Sequence, residues 1–458
     1  MDNTNKRIQK SGPSISDLPM TILVDILLKL DTKSIFSCKC VCNSWRNLIS
    51  DPQFAKLHFA QAKICLLIRV RLLNVNISRA LYLLEPEYGC SVDVGYCWCG
   101  SIMCKHCNRN IKVKSKLKMP LRNAQVMLRQ LSDDDSDVIF DYENTRWRKL
   151  KSRTDQIYRV ANSCNGLLCL TDDFGYDPVI VCNPILGEFI YLPKSSNDVN
   201  HRSEFKIILG FSPKNNQYKV VRLFTAFPAF SMVEIHTLGT DSWRRVDISV
   251  LKLRSIHGFA SYNRGPVYHE GALHWICKDD DLKSIVYFDL EKEEFHFYSI
   301  PSPPCQQGGH LDMEVLGGRL CVYDRCAYHH LDIWVVDYDV CDSWTKLISV
   351  DIVNYHCSTP RSSYSSRPIS YLRNGALLMF DYAWNELMYF DESRGLRLKH
   401  LKFHGNKSRF EVIVHTPSFI SLKHIVMAGN VEVSEVTTRR RDLSSYGWKD
   451  KKRLGHGF

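Results

Sequence analysis

The densest group of reactive side chains lies in Gly95-Tyr-Cys-Trp-Cys-Gly-Ser-Ile-Met-Cys-Lys-His-Cys107. Cys104-Lys-His-Cys107 has the C-x-x-C spacing that lets two thiolates share one metal ion. A closed tetrahedral site needs a second pair, and Cys97-Trp-Cys99 is a poor one, with a single residue between its thiols. Cys90 is a spare. The expectation is a cysteine-rich inserted loop over residues 88–110, with no metal or other cofactor. Cys97, Cys99, Cys104 and Cys107 are the candidate ligands should a zinc knuckle form there. A second stretch, His269-Glu270-Gly-Ala-Leu-His274, comes close to the zinc-protease pattern. That pattern needs two histidines four residues apart on one helical face. Here they are five apart, with glycine between them and strand-forming residues around them, so a strand start is expected. No phosphate-cradling glycine loop and no Gly-x-Ser-x-Gly nucleophile elbow appears, and no catalytic residue is assigned.

Cationic groups also cluster. Ile111–Met119 alternates apolar residues with Lys112, Lys114, Lys116 and Lys118, which reads as one strand whose solvent face discourages edge pairing. A nucleic-acid patch is the lesser reading. Ser132–Asp137 reads as a solvated acidic loop. Arg439-Arg-Arg441 and Lys449-Asp-Lys-Lys-Arg453 form a basic, flexible tail over 426–458, whose spacing also suits a bipartite nuclear import signal.

From residue 64 onward the elements that carry these groups are short alternating runs rich in Val, Ile, Tyr, Phe and Leu. Several are alike. Gly166-Leu-Leu-Cys-Leu leads to Val179-Ile-Val-Cys-Asn-Pro and Glu188-Phe-Ile-Tyr-Leu-Pro193. Gly271-Ala-Leu-His-Trp-Ile leads to Ile285-Val-Tyr-Phe-Asp-Leu and Glu294-Phe-His-Phe-Tyr. Gly317-Gly-Arg-Leu-Cys-Val and Gly375-Ala-Leu-Leu-Met-Phe open similar units, and a weaker one starts at Tyr218-Lys-Val-Val. A repeat of about 45–60 residues falls in the range of kelch-type propeller blades. A blade cannot bury both faces alone, and a ring of blades solves that while leaving few free edges. Residues 64–425 allow about six blades, seven at most, with a final strand near Phe410–Leu422 pairing with the first to close the ring.

Before the repeats, the pattern is helical. Ser16 or Asp17 can cap a helix with Pro19 in its first turn. Leu18, Ile22, Leu23, Ile26, Leu27 and Leu30 then recur at three- and four-residue spacing. Asp31-Thr32 breaks and recaps, and Ile35, Phe36, Val41, Trp45, Leu48 and Ile49 continue the pattern. Asp51-Pro52 repeats the start signal ahead of Phe54, Leu57 and His58.

The residues say more than the period. Leu18-Pro19, Ile26-Leu27, Leu30, Lys33-Ser34, Cys40-Val41-Cys42, Ser44-Trp45-Arg46, Leu48-Ile49 and Asp51-Pro52-Gln53-Phe54 resemble the plant form of the F-box motif, across residues 14–60. In that family the motif is a three-helix unit that packs on a Skp-type adaptor, which links it to the cullin and RING subunits of a ubiquitin ligase. The resemblance implies that Leu18, Pro19, Ile26, Leu27, Leu30, Val41, Trp45 and Ile49 form the helical core or touch the adaptor. Two features depart from it: Asp31, where many members carry proline, and the cysteine-rich Ser37-Cys38-Lys39-Cys40. The repeats in turn resemble the F-box-associated, kelch-like domain of plant F-box proteins. The matching pieces are Ser163-Cys-Asn-Gly-Leu-Leu-Cys, Cys182-Asn-Pro, Gly210-Phe-Ser-Pro, Gly271-Ala-Leu-His-Trp, Phe288-Asp-Leu and Thr416-Pro-Ser-Phe-Ile-Ser-Leu.

The 458 residues are 45% hydrophobic and 24% charged, with a formal net charge of +11, an ordinary balance that leaves room for a large core. No apolar run reaches the ~20 residues that span a bilayer. Residues 1–13 are polar, read as disordered, and lack the apolar core of a secretory signal. The expectation is a mainly β protein of the cytoplasm or nucleus. It consists of an F-box followed by a propeller, and most of its 18 cysteines are free core thiols. The resemblance implies a non-catalytic substrate receptor that binds a target protein through propeller loops. Two alternatives stand beside it: a propeller binding module outside ubiquitin ligation, and a metal-stabilised nucleic-acid binder.

Overall fold

The computed structural model describes residues 18–71, 80–84, 110–111, 115–118, 138–141, 146–149, 158–171, 179–195, 204–226, 230–246, 266–278, 283–298, 311–324, 330–337, 343–351, 366–371, 375–381, 386–391, 399–403, 409–426 and 431–436. Four helices come first: α1 (Met20–Leu28), α2 (Thr32–Cys38), α3 (Asn43–Ser50) and α4 (Pro52–Gln61). Pro19 stands at the cap of α1 rather than inside its first turn. Asp31, the departure from the F-box pattern, has a local job: its carboxylate accepts the Ser34 N–H at 2.8 Å and starts α2. Asp51 does the same for α4, accepting from Gln53 N–H at 2.7 Å, with Pro52 in the first turn where no N–H is needed. The three-helix unit implied by resemblance is thus extended by a fourth helix that leads into the sheets.

The rest is a six-bladed propeller and a separate two-stranded antiparallel sheet of β5 (Val138–Asp141) and β6 (Arg146–Lys149). Blade 1 joins β27 (Arg409–His415), β1 (Cys65–Arg71), β2 (Ala80–Leu84) and β4 (Ser115–Lys118). Blade 2 joins β7 (Arg159–Cys164), β8 (Leu167–Thr171), β9 (Ile180–Asn183) and β10 (Glu188–Tyr191), with β28 (Ser434–Glu435) added outside. Blade 3 is β11 (Glu204–Ser212), β12 (Gln217–Ala226), β13 (Phe230–Thr237) and β14 (Arg244–Val246). Blade 4 is β15 (Val267–His269), β16 (Ala272–Lys278), β17 (Lys283–Asp289) and β18 (Glu294–Tyr298). Blade 5 is β19 (Leu311–Leu316), β20 (Arg319–Asp324), β21 (His330–Asp337) and β22 (Ser343–Asp351). Blade 6 is β23 (Ser366–Tyr371), β24 (Leu377–Asp381), β25 (Glu386–Phe390) and β26 (Lys399–Phe403), with β3 (Asn110–Ile111) alongside β26. The ring closes where expected: β27 pairs antiparallel with β1, from Cys65↔His415 through Arg71↔Arg409.

Local chemistry explains the hairpins. Asn165-Gly166 and Glu270-Gly271 form two-residue loops with all four φ angles positive, the turn whose twist matches paired strands and whose second position favours glycine. The second of these loops ends the protease-like stretch: His269 closes β15 and His274 lies in β16, so no helical face joins them.

Apolar clusters fill the contacts between neighbouring blades. Strand β8 shows why: Leu168 and Leu170 face blade 1, while Leu167 and Cys169 face blade 3, so the strand is apolar on both faces up to Thr171. Polar stitches join the same neighbours. Asn162 holds Leu209 across blades 2 and 3, and the Tyr268 hydroxyl donates to the Phe211 carbonyl at 3.0 Å across blades 3 and 4. Lys219 Nζ, buried in blade 3, lies 2.7 Å from Glu293 Oε1 of blade 4. Arg367 of blade 6 reaches Glu314 of blade 5 at 3.7 Å and the Val412 carbonyl of blade 1.

Two stretches differ from expectation. The described parts of 111–119 belong to two blades: Ile111 lies in β3, which pairs parallel with β26 of blade 6, and Ser115–Lys118 form β4 against β2 of blade 1. Position in the ring overrode the alternation. The chain also does not leave the body at residue 426. Val426 is buried, Val431 and Val433 pack against the core between blades 2 and 3, and β28 extends blade 2.

Candidate functional site

The four helices present two apolar surfaces. Inward, Leu23, Leu27, Ile35, Ile49, Phe54 and Ala55 share one buried cluster with Cys65, Leu67, Leu81 and Leu83 of blade 1 and Leu168, Leu170, Ile180 and Cys182 of blade 2. Outward, Leu18, Met20, Ile22, Ile26, Leu30, Phe36 and Val41 are exposed, Val41 by 63% and Met20 by 56%. The cause is the composition of α1. Met-Thr-Ile-Leu-Val-Asp-Ile-Leu-Leu has one charge, Asp25, so the helix is apolar on both sides. Leu23 and Leu27 take one stripe, and Ile22 and Ile26 take the next, where charged residues usually stand. Exposed apolar side chains gathered on so short a segment mark an interaction surface.

The resemblance grouped eight residues, and the structure divides them. Leu27 and Ile49 are fully buried, and Trp45 packs partly buried against the same cluster. Leu18, Pro19, Ile26, Leu30 and Val41 are exposed. Met20, Ile22 and Phe36 belong with the exposed set but were missing from the eight. For Met20 and Ile22 the signal was in the sequence, as a helix with no polar face.

The helices are firmly seated. His58 of α4 stands edge-on to Phe419, ring centroids 4.8 Å apart, and burial lowers the His58 pKa to about 4. Phe419 belongs to a strap, residues 416–426, that leaves β27 and crosses blade 2. Asn183 Nδ2 donates to the Ser418 carbonyl at 3.0 Å and to the Ile420 carbonyl at 2.9 Å. Glu188 accepts the Leu422 N–H at 2.8 Å and the Ser421 hydroxyl at 2.9 Å. Gly166 leaves room for Ser418: a Cβ there would sit 2.1 Å from the Ser418 Cβ.

Other candidates fare differently. Cys97, Cys99, Cys104 and Cys107 lie outside the described residues, as do both basic clusters of the tail. Among the described residues no group of three or more His, Cys, Asp or Glu is arranged to hold a metal, and no helix is long and apolar enough to cross a membrane. Cys65, Cys164, Cys169, Cys182 and Cys321 are buried free thiols. Lys116 and Lys118 lie on β4, the outermost strand of blade 1.

A six-bladed propeller fused through its core to a helical unit with an unpartnered apolar face defines a class of binding protein. Comparison with known proteins gives the family. The model of the F-box associated beta propeller domain matches residues 112–422, and that of the F-box domain matches residues 15–57. The chain belongs to the F-box proteins with an F-box-associated propeller. It is similar to three Arabidopsis thaliana proteins. F-box protein At3g07870 is 25% identical, over 88% of this chain and 92% of the relative. F-box/kelch-repeat protein At3g23880 is 25% identical, over 76% and 83%. F-box protein CPR1 is 23% identical, over 95% and 99%. F-box domains generally bind Skp-type adaptors, and the two domains together support a role as substrate adaptor in Skp–cullin–F-box assemblies, a class that is typically non-catalytic.

Proposed function

We propose that this protein is the substrate-recognition subunit of a Skp–cullin–F-box ubiquitin ligase. It recruits a target protein for ubiquitination and degradation, with Leu18, Pro19, Met20, Ile22, Ile26, Leu30 and Val41 meeting the Skp-type adaptor. The observation that carries this reading is the division of the F-box side chains. A cap that merely buttressed the propeller would need Leu23, Leu27, Ile35, Ile49 and Phe54 inside. It would have no use for an exposed apolar face beside them.

The receptor's contribution to catalysis is proximity. Holding a target near a charged conjugating enzyme raises the effective concentration of its lysines. The shared core lets the helices and blades act as one body, so reach is set by the fold rather than by a linker. In every blade with an unbroken first hairpin, strand order puts that turn at the helical end of the ring, where Cys65 faces His415. Strands β14 and β22 end, and β15 and β23 begin, at the other end, and target contact is assigned to that end.

Co-purification tests the reading. Wild-type protein should retain a Skp-type adaptor, and Leu18→Ala/Pro19→Ala should release it. No retention by wild type, or equal retention by the variant, sinks the proposal.

A further inference from the structure

The turn between α2 and α3 carries two exposed thiols, Cys40 and Cys42, one on each side of Val41. The turn has defined geometry. Cys40 N–H donates to the Ser37 carbonyl at 3.0 Å and Val41 N–H to the Cys38 carbonyl at 3.1 Å. Arg46 Nε donates to the Lys39 carbonyl at 3.3 Å, which holds a guanidinium beside the turn. The other described cysteines differ. Cys38 is half-buried, and burial raises its pKa. In the blades, Cys65, Cys164, Cys169, Cys182 and Cys321 are enclosed, and burial pushes Cys169 and Cys321 up to about 12. Among the cysteines whose side chains are described, Cys40 and Cys42 alone are exposed, and Arg46 is held beside their turn, a setting open to an anionic disulfide.

We propose that Cys40 and Cys42 are acceptor sites for S-thiolation by a low-molecular-weight disulfide, and that the adduct closes the adaptor-docking face. The inference rests on the docking reading above. The thiolate of either residue attacks one sulfur of glutathione disulfide. The S–S bond breaks, a mixed disulfide forms on the protein, and one glutathione leaves as its thiolate and takes up a proton. The disulfide is the oxidant, and no other reactant is consumed. The adduct places a polar, negatively charged tripeptide beside Val41, where apolar contact requires the loss of water. By reciprocity, a bound adaptor shields both thiols from the reaction.

The test uses reduced full-length protein and the double variant Cys40→Ser/Cys42→Ser. Serine is a favoured helix cap, so α3 keeps its start at position 42. Both proteins are treated with glutathione disulfide, mapped by peptide mass spectrometry, and passed over immobilised Skp-type adaptor before and after dithiothreitol. The expected result is an adduct on Cys40 or Cys42, a fall in capture of about tenfold, equivalent to roughly 1.4 kcal/mol, and recovery on reduction. The serine variant should be captured throughout. No adduct at either residue, full capture of the thiolated protein, or equal loss by the variant overturns the proposal and leaves adaptor docking standing. No capture of the untreated, reduced wild type overturns the docking reading, and this proposal with it.

Discussion

His58 of α4 and Phe419 of the strap meet edge to face, ring centroids 4.8 Å apart, so the helical unit and the segment that follows the ring-closing strand meet in one core. Asn183, Glu188 and Gly166 hold the strap on blade 2. Three pieces that made the repeats resemble a family, Ser163-Cys-Asn-Gly, Cys182-Asn-Pro and Thr416-Pro-Ser-Phe, therefore meet in one place.

The helices and propeller should unfold together. Phe54 and Phe419 are 2% and 3% exposed in the shared cluster. Phe54→Ala or Phe419→Ala should each cost about 3–5 kcal/mol. Calorimetry should show one transition moving down as a whole, not a helical transition lost while the propeller's stays in place.

Outward substitutions should separate binding from stability. Ile26→Ala and Leu30→Ala remove side chains that are 38% and 36% exposed. Stability should change by about 0.5 kcal/mol or less, while adaptor capture falls. Leu27→Ala, fully buried one residue from Ile26, should do the reverse per bound molecule, losing about 2–5 kcal/mol of stability.

Acid should weaken the fold before the carboxylates titrate. Burial lowers His58, His236 and His274 to about 4 and His415 to about 3. Each is neutral when folded and takes up a proton near pH 6.5 when unfolded. The unfolded chain thus holds more protons between these values, and stability rises with pH across that window. It should be complete above pH 6.5 and fall progressively toward pH 4, by up to roughly 3 kcal/mol per histidine. Denaturant titrations at pH 7 and pH 5 measure it, and His58→Phe should remove one proton from the slope.

Asn162 should act as a ring stitch. A bulge between Val160 and Asn162 turns its amide toward blade 3, where it donates to the Leu209 carbonyl at 2.8 Å and accepts the Leu209 N–H at 2.9 Å. Asn162→Ala strands both groups and should cost about 1–3 kcal/mol or more. Asn162→Asp keeps only the acceptor and should land between the two, as judged by thermal midpoint.

Gly166→Ala should be worse than its size suggests. The added methyl meets the Ser418 Cβ, and φ is +83°. Loss of the strap should appear as faster proteolysis after residue 415. If Ser418→Gly, introduced beside it, restores protection in part, the clash is the cause and φ strain accounts for the remainder.

Much was legible before any coordinates. Alternating runs closed by turn residues, repeating about every 45–60 residues, pointed to about six blades, seven at most, and the ring has six. The strand around Phe410 was expected to close the ring, and it does. The helix starts at Asp31 and Asp51 follow from caps that act within three residues. All of these are local signals.

What sequence could not decide is anything fixed by which surfaces meet. Periodicity placed Ile26 and Leu27 on the same apolar helix, but only docking against blades 1 and 2 buries Leu27 and leaves Ile26 outside. Alternation made 111–119 one strand, but the ring gives Ile111 to blade 6 and Ser115 to blade 1. The closing strand expected to run to Leu422 ends at His415, and the chain goes on as a strap, since Ser418, Asn183 and Gly166 are far apart in sequence and adjacent in space. The sequence determined the parts, through spacing and capping chemistry. The tertiary structure decided which apolar face was left over, because burial on one side of a helix depends on a partner that no local window contains.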